Sequence, residues 1–160
     1  MTDVTTRAIA PSGVIGASWR WFIAAVSAIP YWVVAIVTRV SIAGVFWQSG
    51  QTKVEGWHLT DTAIELFRSE YRLPLIDPAL AAHLAALAEH VFPVLLVIGL
   101  ATRFAAIALL IMTLVIQVFV YPHAWPTHGT WAACFLILIT RGPGLLSLDH
   151  LIARRCGRGT

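Results

Sequence analysis

ALAAHLAALAEHVFPVLLVIGLATRFAAIALLIMTLVIQVFVY, residues 79–121, consists of two apolar stretches separated only by Ala101-Thr102-Arg103. Each stretch, 79–100 and 104–121, reaches about 30 Å as an α-helix, the thickness of a bilayer's hydrocarbon core. So tight a turn forces the two helices to be antiparallel neighbours. The Ala-rich start of the first permits close helix approach, and Pro93 is expected to kink it and free a backbone carbonyl.

The whole chain is as apolar as this stretch. Hydrophobic residues make up 58% and charged residues 12% of 160 positions, and the mean hydropathy is +0.77. Soluble domains carry about 25% charged residues. The deficit excludes an ordinary soluble globular domain and makes the lipid bilayer the first partner. The formal charge of +3 comes from basic residues at the ends of apolar runs, not from a basic patch interleaved with aromatics, so no nucleic-acid partner is expected.

Working outward, PYWVVAIVTRVSIAGVFWQ (30–48) predicts a first span of about 28 Å, with Pro30 suited to its first turn. A fourth, shorter span is expected over 130–140, starting near Pro126. Between spans one and two, SGQTKVEGWHL is turn-like, and TDTAIELFRSEYR predicts an amphipathic helix with Thr60 as N-cap. Ile64, Phe67 and Tyr71 share one face of it. LLSLDHLIARR predicts a second amphipathic stub. The fold class is therefore all-α: a four-span transmembrane helix bundle with a short amphipathic helix between spans one and two.

The expected organisation is an N-terminal cytoplasmic or interfacial segment (1–29), the four-helix transmembrane domain (30–148) and a basic cytoplasmic tail (149–160). Residues 1–19 are polar to mixed, and 20–29 suit an interfacial helix or the early part of the first span. The first thirty residues lack the compact apolar core and cleavage site of a signal peptide. Cys134 and Cys156 form no CxxC and predict no disulfide framework.

Arg7, Arg20, Arg103, Arg141, Arg154, Arg155 and Arg158 fall on one side of a four-span topology, and Lys53, Arg68 and Arg72 on the other. That bias puts both termini in the cytoplasm of a bacterium, in a multi-pass inner-membrane protein.

Ionisable residues at membrane depth are costly and informative. Counted from the predicted span ends, Arg39 and Glu89 lie about 13 and about 16 Å deep. They are opposite in sign and are expected to pair. The pair serves either as a polar functional centre or as a buried ion pair that fixes helix register. His90 adjoins Glu89 but points about 100° away; it could exchange a proton with a ligand or sit neutral against a carbonyl. Gln117, Trp47 and Trp125 could line an outward-facing cavity suited to a planar amphipathic ligand, or could be ordinary interhelical and aromatic-belt residues. His83, His123 and His128 should lie near the outer surface and could bind a metal, although no close HxxxH or HxH spacing supports them. EHVFP is not the HExxH of a metalloprotease, and no phosphate loop or Rossmann fingerprint is visible.

Three stretches carry a family resemblance: RVSIAGVFWQSGQTK (39–53), with an Arg before a glycine and a terminal SG-x-x-K; AALAEHVFPVLLVIGLATRFAAIALL (85–110), with a mid-span Glu and a GL-x-TR turn; and the closing RGPGLLSLD (141–149). In order and spacing they resemble the DoxX family of small bacterial membrane proteins. The resemblance covers most of residues 35–150. The EHVFP step and the YPHAWPTHGTW loop look like features of a branch. The resemblance implies a four-helix membrane bundle and links to quinol oxidation, thiosulfate:quinone oxidoreduction and redox or metal stress. It carries Arg39, Lys53, Glu89 and Arg103 over as family-type polar positions. It supports fold more directly than function.

These readings converge on an inner-membrane protein that binds a quinone or similar hydrophobic small molecule in a redox or stress-response pathway, as an accessory subunit of a quinone-linked oxidoreductase. Arg39, Glu89 and His90 would form the reactive centre, and Trp47, Lys53, Arg103, Gln117 and Trp125 would hold the ligand. The sequence contains no evident haem or flavin site, so electrons would come from a partner protein. One rival is a non-catalytic scaffold docking a redox or metal-handling partner. The other is metal binding or transport through His83, His123 and His128. The small residues Gly44, Ala81, Ala82, Ala85 and Ala86 suit intrachain packing or a homo-oligomer equally.

Overall fold

A computed structural model describes residues 14–157. The expectations for residues 1–13 and 158–160, including Arg7 and Arg158, lie outside the described residues. The chain divides into two compact units, Met1–Pro30 and Tyr31–Thr160. The first contains helix α1, Val14–Ser27, in which Trp19 and Phe22 stack at 5.8 Å. The helix expected around 20–29 therefore begins earlier than the apolar run suggested.

The second unit holds α2 (Tyr31–Gln51), a two-stranded hairpin of β1 (Val54–Glu55) and β2 (His58–Leu59), and α3 (Asp61–Leu66). Helices α4 (Pro78–Ile98), α5 (Thr102–Phe119), α6 (Trp125–Arg141) and α7 (Leu148–Arg155) follow. Among the described residues, α2, α4 and α5 are the helices long and apolar enough to cross a membrane. Helix α6, at 17 residues, packs along α5 and α2. The hairpin is an addition that the turn-like composition of 49–59 did not specify; Gly56, at φ 61°, provides its reversal.

Local chemistry sets the boundaries. The Thr60 hydroxyl accepts from the Ala63 N–H and starts α3, as its position in the sequence predicted. After Leu66 the chain widens into a π-helical turn, Phe67–Tyr71, ended by Arg72 in the left-handed conformation. Asp77 accepts from the N–H groups of Ala79 and Leu80, with Pro78 in the first turn, so α4 has a double start signal.

The larger core joins Ile42, Ala43 and Phe46 of α2 to Leu96 of α4, to Ala105, Ala106 and Leu109 of α5, and to Phe135 and Leu138 of α6. A second core lies under the hairpin and α3. There Phe67 packs on Ala81, Ala82 and Ala85, flanked by Leu59, Ile64 and Tyr71. The shared face read for Ile64, Phe67 and Tyr71 is thus the face that docks on α4.

Helices α2 and α4 approach closely at Gly50. A Cβ there would lie 2.8 Å from His90 Cε1 and 3.1 Å from Glu89 Cβ. Gly44, on the same helix, has nothing within 4 Å of such a position. Gly50→Ala should therefore destabilise the detergent-solubilised protein by about 1–3 kcal/mol through overpacking. Gly44→Ala should be neutral or slightly stabilising. Thermal unfolding of both variants checks this; equal losses would refute the close approach at Gly50.

Candidate functional site

Glu89 lies in the middle of α4, and its side chain is 3% exposed. Its partner is Lys53, which follows the end of α2 and is also buried. Lys53 Nζ lies 2.7 Å from Glu89 Oε2. The same ammonium donates to the Ser49 carbonyl at 3.2 Å and the Ser49 hydroxyl at 3.1 Å. The Ser49 hydroxyl donates to Glu89 Oε1 at 3.1 Å. Because Ser49 and Lys53 are one helical turn apart, both reach the same carboxylate. The two charges cancel in a place where either alone would be costly. The ammonium is thus the partner of Glu89 Oε2, as the Ser49 hydroxyl is of Oε1.

The expected pairing of Arg39 with Glu89 is not formed. Arg39, 3% exposed, donates instead to four backbone carbonyls. Its Nε reaches Leu96 O at 2.7 Å and its Nη2 reaches Val97 O at 2.7 Å. Its Nη1 reaches Pro143 O at 2.8 Å and Leu146 O at 3.0 Å. Leu96 and Val97 end α4, where carbonyls lack helical donors and the helix dipole is negative. An arginine therefore answers its charge there without an acid. The depth count failed because it assumed that the end of α2 and the start of α4 lie at one level. Contacts pair Ser49 with Glu89 and Arg39 with Leu96 and Val97, so Arg39 and Glu89 are separated by about 10–15 Å along the bundle. The start of α4 runs past the end of α2 and carries α3.

The clasp around Arg39 includes two of the motifs read in the sequence. Gly99, at φ 70°, ends α4, and a Cβ there would come within 2.5 Å of Ser147 Cβ. Asp149 accepts from the N–H groups of Ala101 and Thr102 at 2.8 and 2.9 Å and so caps α5. Its own N–H donates to Gly99 O at 2.9 Å. Arg103 Nε donates to Ile139 O at 2.9 Å, joining the start of α5 to the end of α6.

Beside Glu89 is an apolar cavity of ≈ 340 Å³ between α4, α5 and the π-turn. Its walls include Phe67, Leu73, Ala85, Ala88, Ala108 and Met112, and its hydrogen-bonding side chains are Glu89 and Tyr71. Beyond the end of α5, the Tyr121 hydroxyl donates to Glu70, and the Tyr71 and Tyr121 rings meet edge to face at 6.0 Å. This hydrogen bond raises the pKa of Tyr121, with burial adding to it. Burial, then the charges of Glu89 and Glu70, raise that of Tyr71. Both phenols are therefore held neutral.

The remaining candidates are dispersed. His90 turns to the other side of α4: its Nδ1 bonds to Ala86 O at 2.6 Å, its Nε2 to Gln51 at 2.9 Å, and Trp47 lies edge-on to it at 5.0 Å. Trp47 lines a separate apolar groove between α2 and α4 with Pro93. Gln117 uses its amide on Pro122 O and on His128 Nδ1, both at 2.7 Å, and Trp125 is exposed. His83 bonds to Ala79 O, and His123 is exposed. The structure does not gather His83, His123 and His128: among the described residues no three His, Cys, Asp or Glu side chains are placed to hold a metal. Sequence reading missed Ser49, Tyr71 and Asp149 as polar partners. The SG-x-x-K spacing was the signal for Ser49.

The family profile named DoxX matches residues 34–122, more than half the chain. The chain belongs to the DoxX family. An uncharacterized protein of Haemophilus influenzae is 33% identical over 131 residues, covering 74% of this chain and 83% of its own length. No solved structure matches. The DoxX match contains Arg39, Lys53, Glu89 and Arg103. The RGPGLLSLD segment lies beyond it yet supplies the carbonyls and carboxylate of the clasp. This is thus a DoxX-family membrane protein with two separate polar centres.

A double-mutant cycle distinguishes these centres from the expected Arg39–Glu89 pair. Lys53→Met alone should cost about 3–5 kcal/mol by leaving a buried carboxylate unpaired. Adding Glu89→Gln should recover much of that loss. Arg39→Met and Glu89→Gln should instead be additive within about 0.5 kcal/mol. Strong coupling between positions 39 and 89 in unfolding measurements would overturn the assignment.

Proposed function

We propose that this DoxX-family protein binds a quinone-like hydrophobic small molecule in the cavity beside Glu89. The observation that carries this reading is a buried, charge-balanced carboxylate on the wall of an otherwise apolar cavity. Apolar walls with a few placed polar groups are the usual make-up of a small-molecule site. The ring packs between α4 and α5, and an alkyl tail leaves past Leu84 and Ile111, which are exposed on the outside of the bundle. Glu89 and Tyr71 contact the polar end, while Lys53 and Ser49 hold Glu89 in place. Arg39 has a structural role in this reading, and His90, Trp47, Gln117 and Trp125 stand outside the pocket.

In the same reading, α6 completes four crossings. Its 17 residues reach about 26 Å, and Arg141 anchors its end. The bias of arginine toward the α4–α5 turn and the tail places both termini in the cytoplasm, in a bacterial inner membrane. The protein serves a redox or stress-response pathway as a ligand-binding subunit, with electrons supplied by a protein partner.

Purification in mild detergent, followed by mass spectrometry of organic extracts, tests the reading. A lipophilic ring compound should co-purify near stoichiometrically with the unaltered chain. It should be depleted at least about tenfold in Ala108→Leu, which fills the cavity from the wall facing α4. Equal recovery from both preparations would place the ligand elsewhere and defeat the proposal.

A further inference from the structure

The two ends of the bundle differ in charge. Between the end of α2 and the start of α4 lie the exposed carboxylates of Glu55, Asp61, Glu65, Glu70 and Asp77, which outnumber the exposed Arg68 and Arg72 there. The opposite end, where α4 turns into α5, has Asp149 as its one carboxylate among the described residues, and Asp149 is spent on the Ala101 and Thr102 N–H groups. Four exposed arginines share this end: Arg103 in the first turn of α5, Arg141 in the last turn of α6, and Arg154 and Arg155 in the last turn of α7. None of the four has a carboxylate partner among the described residues. Arg103 uses its Nε on Ile139 O and has both Nη groups left over.

Helix α7 has two faces. Asp149 and Ala153, one turn apart, are half-buried on the side toward the bundle. Leu148, Leu151 and Ile152 fall at i, i+3 and i+4 and are exposed. The segment leading into α7 lies alongside the membrane-crossing helices. The Tyr31 hydroxyl donates to Gly142 O, and a Cβ on Gly144 would lie 2.9 Å from Ala35 Cβ, so this segment flanks the first turns of α2. Ser147 rests against Gly99, and the Asp149 N–H bonds to Gly99 O. Helix α7 therefore starts level with the ends of α4 and α5, where a spanning bundle meets lipid headgroups. Clustered cations beside an exposed apolar helix face suit such an interface. Guanidinium forks match phosphate oxygens, and cations next to a membrane span draw anionic lipid. A water-soluble acidic partner would answer the arginines but leave the leucine face uncovered.

We propose that α7 and the arginines beside it form a binding surface for anionic phospholipid. Arg103, Arg141, Arg154 and Arg155 hold headgroup phosphates, and Leu148, Leu151 and Ile152 lie among the acyl chains of that leaflet. The proposal is independent of what fills the cavity beside Glu89.

Native mass spectrometry of the full chain in neutral detergent, titrated with dioleoylphosphatidylglycerol or dioleoylphosphatidylcholine, tests it. The anionic lipid should bind at least about tenfold more tightly. The triple variant Arg141→Gln/Arg154→Gln/Arg155→Gln should cut that preference to about twofold or less, while Arg68→Gln/Arg72→Gln at the other end should leave it unchanged. Those three arginines are exposed and unpaired, so the fold should persist. Leu148→Ser/Leu151→Ser/Ile152→Ser should weaken binding of the anionic lipid at least about fivefold. Equal affinity for the two lipids, or a preference that survives the triple arginine variant, would overturn the proposal. Displacement of the lipid by excess inorganic phosphate, or full affinity in the serine variant, would overturn the lipid assignment in favour of a free-anion site.

Discussion

A charge placed within a bilayer must be answered from inside the protein, because lipid offers neither water nor counterions. Two such answers organise this molecule. Glu89 is met by an ammonium and a hydroxyl from the end of α2. Arg39 is met by carbonyls from the end of α4 and from residues 143–146. Each answer fixes a relation between elements distant in sequence. The first sets how far α2 slides along α4, and the second fastens the far end of the same helix pair to the closing loop. The apolar core between them fills space, but apolar packing between helices specifies register poorly, and the polar contacts supply that precision.

The lid over the bundle follows from the first answer. Lys53 is drawn into the protein, so the chain leaving α2 folds back at once as a short hairpin and then as α3. The face of α3 bearing Ile64 and Phe67 lies on the small residues Ala81, Ala82 and Ala85. Those alanines permit the approach, and Gly50 does the same on the facing side. The cavity beside Glu89 is the space left where the π-turn, α4 and α5 meet, with the small residues Ala85, Ala88 and Ala108 among its walls.

Much of this was legible in the sequence. The spans over 79–100 and 104–121, their tight turn, the Thr60 cap and the docking face of α3 follow from hydropathy, periodicity and capping chemistry. These act over a few residues and leave marks in order along the chain. The partner of Glu89 was not legible, because pairing depends on the relative offset of two helices, which neither helix encodes alone. Lys53 looked like a loop residue, since counting hydropathy ends a span at the first polar run. The Ser49–Lys53 spacing of one helical turn marked that polar run as a continuation of α2. Arg39 misled for another reason: an arginine can be neutralised by carbonyls, and backbone acceptors carry no sequence signature. The loop carbonyls of Pro143 and Leu146 become partners only in three dimensions.

The clasp at Arg39 also bears on the order in which the chain can be completed during synthesis. Arg39 is made early, but Pro143, Leu146 and the Asp149 cap on α5 are made after α2, α4, α5 and α6. Until residues 143–149 leave the ribosome, the guanidinium has at most the two carbonyls at the end of α4, and the first N–H groups of α5 have no carboxylate. Before then the register of α2 on α4 rests on the Glu89 contacts and the apolar core alone. Arrival of the closing segment turns that provisional arrangement into a fastened one, and a ribosome stalled before it would leave a charged side chain for quality control to find.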